Sequence, residues 1–182
     1  GSGRQMDLTK LMEYQGLSNV SFYDLEKSYS DYDVTKFYMG NRKVTYDGIT
    51  KNVVVVSVQG TSNGIRQWQS NFDIGTTSVF QNYPDWTAIE NHKGFDAAAN
   101  RIKRIMDTYI SKNCSNGNET VFLVTGHSRG AAIANVLGAK LTDEGRTAYT
   151  YTFATPNTTT KYSANYSTYN NIFNLINKED FV

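Results

Sequence analysis

The segment TVFLVTGHSRGAAIANVLGAKL, residues 120–141, constrains the fold of this chain more than any other. It begins with a short apolar run, which predicts a buried strand. Glycines then flank a serine, as is typical of a sharp turn. After the turn, Ile133, Leu137 and Leu141 lie four residues apart beside small residues, which predicts a helix that packs closely on a sheet. A strand that turns sharply into a helix indicates an α/β fold.

The stretch before this segment predicts a hairpin and a buried strand. Residues alternate from Lys36, and the dipeptide Asp47-Gly48 is typical of a two-residue hairpin turn. The strand predicted at 52–58 contains four consecutive valines, which favours a strand covered on both faces. Residues 6–35 mix apolar and polar side chains at roughly helical intervals and predict short helices that cap the core.

Helical and strand patterns continue towards the end of the chain. Apolar residues at three- and four-residue steps predict an amphipathic helix from Phe95 to Ile110. Two further strands are predicted in RTAYTYTFATP and in YNNIFNLIN. This order of strands and helices predicts an α/β fold in which a mostly parallel central sheet is flanked by helices.

Length and composition exclude several classes of protein. The 182 residues favour a single domain, predicted over 6–182, because residues 1–5 resemble a tag or linker scar. The net charge of +1, without any run of like charge, argues against a nucleic-acid partner. Two histidines and one cysteine provide too few ligands for a zinc or iron site, and no cofactor is expected.

Surface features favour a secreted or cell-surface protein over a cytoplasmic one. Triplets of the form N-x-[ST], such as Asn118-Glu119-Thr120, fit an exported surface. Cys114 is the only cysteine, so the chain can form no internal disulfide from which its redox compartment could be inferred. No apolar run approaches the roughly 18 residues of a membrane span. The sequence indicates no particular oligomeric state.

The serine in the central segment stands in the setting of a nucleophile. Gly126-His127-Ser128-Arg129-Gly130 fits the pattern G-x-S-x-G, and small residues on either side allow Ser128 to project its hydroxyl from a strained turn. The N–H of Arg129, at the start of the helix, points to where an oxyanion would form. The alternative is a serine that only caps the helix.

Several motifs, in order from about Val53 onwards, resemble those of the class 3 lipases, the fungal-type triacylglycerol lipase branch of the α/β-hydrolases. VVVSVQGTSNGIRQWQSNFD is similar to the family's strand, G-[ST]-S loop and lid, and NHKGF to its H-x-G-F motif at the start of a helix. VTGHSRGAAIANVLGAKL resembles its nucleophile elbow, TFATP its F-G-[AS]-P stretch, and FNLINKEDFV the strand that leads to its catalytic acid. The resemblance implies an α/β-hydrolase fold.

The resemblance also implies roles for four residues in the chemistry. Ser128 corresponds to the nucleophile and Asp180 to the acid of the catalytic triad. Thr61 and Arg129 correspond to the donors of the oxyanion hole. Without the resemblance, Thr61 could be a turn hydroxyl and Asp180 the solvated end of a strand.

The segment 60–73 is too apolar for an ordinary solvated loop. It is rich in turn-forming residues yet contains Ile65, Trp68 and Phe72. The resemblance assigns these side chains to a lid that covers the substrate site in water and opens at a lipid surface. The alternative for Trp68 is a place in the core.

A serine nucleophile needs a base, and neither histidine of the chain suits this role. His127 adjoins Ser128, where the direction of the chain turns its side chain away from the nucleophile. His92 matches the family's histidine at the start of a helix, which packs and hydrogen-bonds. We therefore expect the triad histidine after Val182, a domain truncated before that residue, and little activity from this chain alone.

These features predict a serine ester hydrolase that cleaves acyl esters of lipids through an acyl-enzyme on Ser128. A phospholipase, a feruloyl-type esterase or an acyltransferase would use the same residues, because fold and triad do not determine the acyl group or its acceptor. The alternative from another class is a non-catalytic module that binds lipid or protein. The expected partners are therefore an acyl-ester substrate and, through interfacial contact, a lipid surface.

Overall fold

A computed structural model describes residues 2–25, 35–60, 86–127, 129–153 and 169–175 of the chain. The helices are α1 (Ser2–Tyr14), α2 (Trp86–Asn113) and α3 (Arg129–Asp143). The strands are β1 (Ser18–Asp24), β2 (Lys36–Tyr46), β3 (Ile49–Gln59), β4 (Thr120–His127), β5 (Thr147–Phe153) and β6 (Ile172–Leu175).

The six strands form one mixed sheet in the order β1-β2-β3-β4-β5-β6. The pairs β1–β2 and β2–β3 are antiparallel. The pairs β3–β4, β4–β5 and β5–β6 are parallel. Helix α2 lies between β3 and β4 in the chain, and α3 lies between β4 and β5. The predicted α/β fold with a mostly parallel sheet is therefore confirmed.

The predicted hairpin joins β2 to β3. Tyr46 pairs with Ile49, so Asp47 and Gly48 alone form the turn. Both have left-handed backbone conformations, with φ of 51° at Asp47 and 74° at Gly48. Two successive positive φ values define a type I′ turn, whose twist matches that of the strands it connects.

One face of the sheet forms a continuous core with helices α2 and α3. The sheet contributes Val54, Val56, Val58, Phe122, Val124 and Ala148, and the helices contribute Ala98, Ile102, Met106, Ile133, Leu137 and Leu141. The predicted coverage of the valines on both faces is wrong for the described part of the molecule. Alternate residues of β3 are only partly buried, because both helices pack against the same face.

The opposite face of the sheet carries exposed aromatic residues at its β5 and β6 end. Tyr149, Tyr151 and Phe153 of β5 are 38–46% exposed, and Phe173 of β6 is 40% exposed. The rings of Tyr151 and Phe173 stack with centroids 5.0 Å apart. At this end of the sheet, the two faces therefore differ strongly in burial.

The prediction of short helices over 6–35 is only partly right. Helix α1 is present, but residues 18–24 form the edge strand β1, paired with β2. The Tyr23 ring stacks on Phe37 of β2 at a centroid distance of 4.8 Å, and Phe22 contacts Tyr38 at the same distance. Pairing with a neighbouring strand decides the conformation here, because strand preference depends on cross-strand packing.

Candidate active site

The motif Gly126–Gly130 lies where β4 passes into α3. Strand β4 ends at His127 and α3 begins at Arg129, so both predicted elements flank Ser128. Ser128 itself lies outside the described residues. The junction stands at the carboxyl ends of the parallel strands, which is where ligands bind in open α/β sheets.

The two glycines of the motif stand in direct contact with other backbone atoms. A Cβ on Gly126 would overlap the carbonyl oxygen of Gly130 and would lie 2.8 Å from the nitrogen of Ala131. A Cβ on Gly130 would overlap the carbonyl oxygen of Val58 and would lie 2.8 Å from the carbonyl carbon of Gln59. Strand β4, helix α3 and the end of β3 therefore meet at a distance that only glycine permits.

The end of β3 lies beside this junction. Val58 pairs with Gly126 across the parallel ladder, and the carbonyl of Val58 contacts Gly130. The chain that follows β3 therefore leaves the sheet next to the start of α3. Four predicted site residues come after this point, and all four lie outside the described residues: Thr61, Ile65, Trp68 and Phe72.

Arg129 is the first residue of α3. The N–H groups of a helix's first turn have no partner within the helix, and they carry the positive end of its dipole. The first turn of α3 therefore carries partial positive charge, and the role of Arg129 as an oxyanion donor stays a prediction.

The geometry of β4 directs His127 away from the face on which α3 packs. Side chains alternate along β4, and Val124 and Gly126 lie on the face covered by α3. His127 therefore projects from the opposite face, where it is exposed and pairs with Phe153 of β5. His92 lies within helix α2.

A cluster of polar side chains connects α3, β5 and β6 at the same edge of the sheet. The Asn135 amide donates a hydrogen bond to Oδ1 of Asn174 at 2.8 Å. The Thr152 hydroxyl donates to the same oxygen at 2.5 Å and lies 3.4 Å from Oδ1 of Asn135. Thr152 also pairs with Gly126, so the cluster lies next to the motif.

No pattern in the sequence predicts this cluster as a whole, although one of its residues gives a signal. Asn135 is a polar residue on the small, apolar face of α3, and it is only 8% exposed. A buried amide needs a hydrogen-bonding partner. Strand β6, which carries Asn174, precedes the predicted acid Asp180, which lies outside the described residues.

Close packing of α3 on β5 continues beyond the motif. A Cβ on Gly138 would overlap the Thr150 hydroxyl and would lie 3.1 Å from the Cβ of Thr150. The prediction that small residues let this helix approach the sheet is therefore confirmed.

Two kinds of feature are missing from the part of the chain that the structure describes. No helix there has both the length and the apolar character that crossing a membrane requires. Among the same residues, no three His, Cys, Asp or Glu side chains are grouped so that they could bind a metal ion.

Comparison with protein families identifies the chain. The family model described as Lipase (class 3) matches residues 55–182, which include the end of β3, the glycine motif and every described strand after it. The chain therefore belongs to the class 3 lipase family, and the predicted resemblance is confirmed.

Individual relatives are lipases of fungal origin. Secreted mono- and diacylglycerol lipase 1 of Fusarium solani is 33% identical over 116 residues, which are 63% of this chain and 33% of that protein. Among solved structures, Lip2 lipase from Yarrowia lipolytica is 19% identical, with a TM-score of 0.45, over 78% of this chain and 47% of that one. A lipase from Rhizopus microsporus var. chinensis is 18% identical, with a TM-score of 0.41, over 80% and 47%. The chain thus spans a third to a half of their lengths.

Proposed function

We propose that the protein hydrolyses acyl esters of lipids, with Ser128 as the nucleophile. The observation that carries the proposal is the contact of Gly126 with Gly130 and of Gly130 with Val58. A helix cap does not require such contacts, because a capping serine tolerates ordinary side chains two positions away. Close backbone packing on both sides of the serine is what a nucleophile elbow requires. Membership of the class 3 lipase family supports the same conclusion.

In the proposed mechanism, the Ser128 oxygen attacks the ester carbonyl while a histidine takes the hydroxyl proton. The N–H groups of Arg129 and Thr61 stabilise the oxyanion of the tetrahedral intermediate. The histidine returns the proton to the leaving alcohol, and an acyl-enzyme remains. Water then attacks by the same route and releases the acid. Asp180 orients the histidine throughout.

We assign the base to neither histidine of this chain. The exposed side chain of His127 lies on the face of the sheet opposite α3, and His92 belongs to helix α2. A histidine outside the 182 residues, after Val182, would complete the triad. The 182 residues alone are then expected to retain only the residual catalysis of an oxyanion hole, about 10³–10⁴ over water.

The substrate class follows from the relatives rather than from a described pocket. The Fusarium relative is named as a secreted mono- and diacylglycerol lipase. We propose partial acylglycerols as the first substrates to test. We also propose that the protein is secreted. We further propose that Ile65, Trp68 and Phe72 contact the lipid surface through the apolar side of the segment 60–73.

The test is a fluorophosphonate probe applied to the full-length protein, with intact mass as the readout. We expect one adduct on the parent protein and none on Ser128→Ala. The matched control is Ser115→Ala, which removes an exposed serine between α2 and β4 and should leave labelling unchanged. Adduct formation that persists in Ser128→Ala would contradict the assignment.

Turnover assays separate the remaining alternatives. Release of fatty acid from diacylglycerol identifies a lipase, release from phospholipid a phospholipase, and acyl transfer to an added alcohol an acyltransferase. A folded protein that neither labels nor turns over any of these esters would be a non-catalytic module. For the lipid-contact proposal, Trp68→Ala should lower activity on emulsions more than on a soluble ester, with Trp86→Ala as the control.

A further inference from the structure

The triplet Asn118-Glu119-Thr120 lies on an exposed turn between α2 and β4. Residues 115–117 and Glu119 are exposed, and Asn118 is partly exposed. Gly117 reverses the chain with a φ of 81°. The turn precedes β4, so it stands at the amino ends of the parallel strands, at the opposite edge of the sheet from Gly126–Gly130.

Two hydrogen bonds hold the backbone of Asn118 in place. Its N–H donates to Oδ1 of Asn116 at 3.1 Å, and its carbonyl accepts from the amide of Asn52 at 3.3 Å. Asn52 is 1% exposed, and its amide exchanges two hydrogen bonds of 2.8 Å with that of Asn116. Within the described residues, the side-chain amide of Asn118 makes no hydrogen bond, so it is available for modification without loss of a contact.

The structure describes two other triplets of the same form. In both, the asparagine side chain donates a hydrogen bond within the protein. Asn19 of Asn19-Val20-Ser21 donates to Oδ1 of Asn41 at 2.9 Å, and its carbonyl lies 3.0 Å from the Tyr109 hydroxyl. Burial holds the pKa of this phenol well above its usual value. Asn113 of Asn113-Cys114-Ser115 donates to the carbonyl of Tyr109 at 3.1 Å. A glycan on Nδ2 of either asparagine would replace one amide proton and place a sugar beside the side-chain hydrogen bond.

We propose that Asn118 carries an N-linked oligosaccharide and that Asn19 and Asn113 do not. The inference rests on the proposed secretion, because the modification occurs in the secretory pathway. The donor is an oligosaccharide attached to a lipid diphosphate. A bond forms between Nδ2 of Asn118 and C1 of the first sugar, the bond from C1 to the diphosphate oxygen breaks, and Nδ2 loses a proton as the lipid diphosphate leaves.

The position of Asn118 makes a glycan compatible with catalysis. A glycan is bulky and needs a surface site. The turn lies at one end of β4, and the proposed nucleophile follows the other end, with the whole length of the strand between them. The glycan therefore shields the amino edge of the sheet and leaves the carboxyl edge open to substrate.

The test is secretion of the full-length protein from a yeast host, followed by mass mapping of tryptic peptides before and after treatment with peptide N-glycosidase. We expect the glycosidase to convert Asn118 to Asp and to leave Asn19 and Asn113 as asparagine. Fragment ions must separate Asn113 from Asn118, because both lie in the tryptic peptide 113–129. Asn118→Gln and Thr120→Ala should each lose this glycan, whereas Thr120→Ser should retain it. Site-resolved mapping separates these sites from the triplets at Asn157 and Asn165, which lie outside the described residues.

An unmodified Asn118 in secreted, folded protein would overturn the proposal, as would glycosylation of Asn19 or Asn113. Ser21→Ala and Ser115→Ala serve as controls that remove those triplets and should leave the mass pattern unchanged. Fluorophosphonate labelling of the same preparations reports separately on Ser128. A labelled protein without a glycan refutes only the modification, and a glycosylated protein without label refutes only the hydrolase.

Discussion

The parallel strands β3, β4 and β5 begin at one edge of the sheet, the amino edge, and end at the other, the carboxyl edge. Different kinds of contact hold the two edges together. At the carboxyl edge, Gly126, Gly130 and Val58 meet backbone to backbone, and no side chain fits between them. At the amino edge, side chains hold the structure, since Asn52 and Asn116 pair through their amides and Lys51 binds Glu119 at 3.0 Å.

Glycine itself has a different purpose at each edge. Gly48 precedes β3 at the amino edge, where it adopts a φ of 74° with nothing within 4 Å of an added Cβ. Gly130 needs no positive φ, but its surroundings leave no room. The amino edge therefore needs glycine for its backbone conformation, whereas the carboxyl edge needs it for a short contact distance. Substitutions at the two edges should therefore have separable effects on stability and activity.

The largest effect is expected from Gly130→Ala. The new methyl would overlap the Val58 carbonyl, which cannot move without shifting β3, so we expect a loss of about 3 kcal/mol in the free energy of unfolding and of most fluorophosphonate labelling. Denaturant unfolding and intact mass measure the two quantities. Gly94→Ala is the control, since its Cβ meets nothing and lies in helix α2, where alanine is favoured by up to about 1 kcal/mol. Unchanged stability and labelling in Gly130→Ala would show that the carboxyl edge does not require glycine for close contact.

Asn52→Ala should destabilise the protein without affecting the chemistry. It removes both amide hydrogen bonds between Asn52 and Asn116 and the donor to the Asn118 carbonyl, which costs about 2 kcal/mol. The labelling rate of the folded protein should stay at the parent value. Asn100→Ala removes an exposed amide contact and should change stability by less than about 0.5 kcal/mol. A selective loss of labelling in Asn52→Ala would show that the two edges are coupled.

Gly48→Ala tests the conformational purpose of glycine directly. An alanine at this positive φ costs about 1 kcal/mol, and the open space around it adds no steric term. Thermal unfolding measures the change, and Asp47→Asn should be tolerated because asparagine readily adopts the same conformation. A loss as large as that of Gly130→Ala would remove the distinction between the two uses of glycine.

The smallest effect is expected from Glu119→Gln. The hydrogen bond from Lys51, and then that from Thr147, hold the pKa of this exposed carboxyl below its ordinary value of 4.5. Its contribution to stability is therefore present above pH 4.5 and is lost as the pH falls through the lower folded value. The fall in Tm between neutral and acidic pH should be slightly smaller in Glu119→Gln than in the parent protein. An equal fall would mean that Lys51 and Thr147 do not stabilise the amino edge.

Local patterns in the sequence are sufficient to predict the elements whose conformation depends on nearby residues. The Asp47-Gly48 turn, helix α2 and the passage from β4 into α3 were all predicted from spacing and turn chemistry, although α2 is longer than expected. Strand β1 was missed because its pairing with β2 and the stacking of Tyr23 on Phe37 cannot be inferred from helical intervals. The prediction that β3 is covered on both faces was wrong for a similar reason. The placement of two helices on one face depends on the whole sheet and not on the residues of one strand.

The part of the candidate site that one short motif determines could be predicted from the sequence. The need for glycine at 126 and 130 follows from G-x-S-x-G and agrees with the contacts around both residues. The cluster of Asn135, Thr152 and Asn174 joins residues 17 to 39 positions apart, and no local pattern reveals such partners. The roles of Ser128, Thr61, Asp180 and the lid residues remain predictions, which the labelling and lid variants test.

The order of the strands has a consequence for how the chain acquires its structure. Each described strand lies beside the strands that precede and follow it in the chain, from β1 to β6. A nascent polypeptide can therefore grow its sheet by adding each new strand to the free side of the last, without opening a pair already formed. The closures differ in length, because two residues join β2 to β3 whereas residues 60–119 separate β3 from β4, so we expect the antiparallel hairpin to form before the parallel pair. The β2–β3 hairpin, closed by a two-residue turn, is the expected nucleus of this growth.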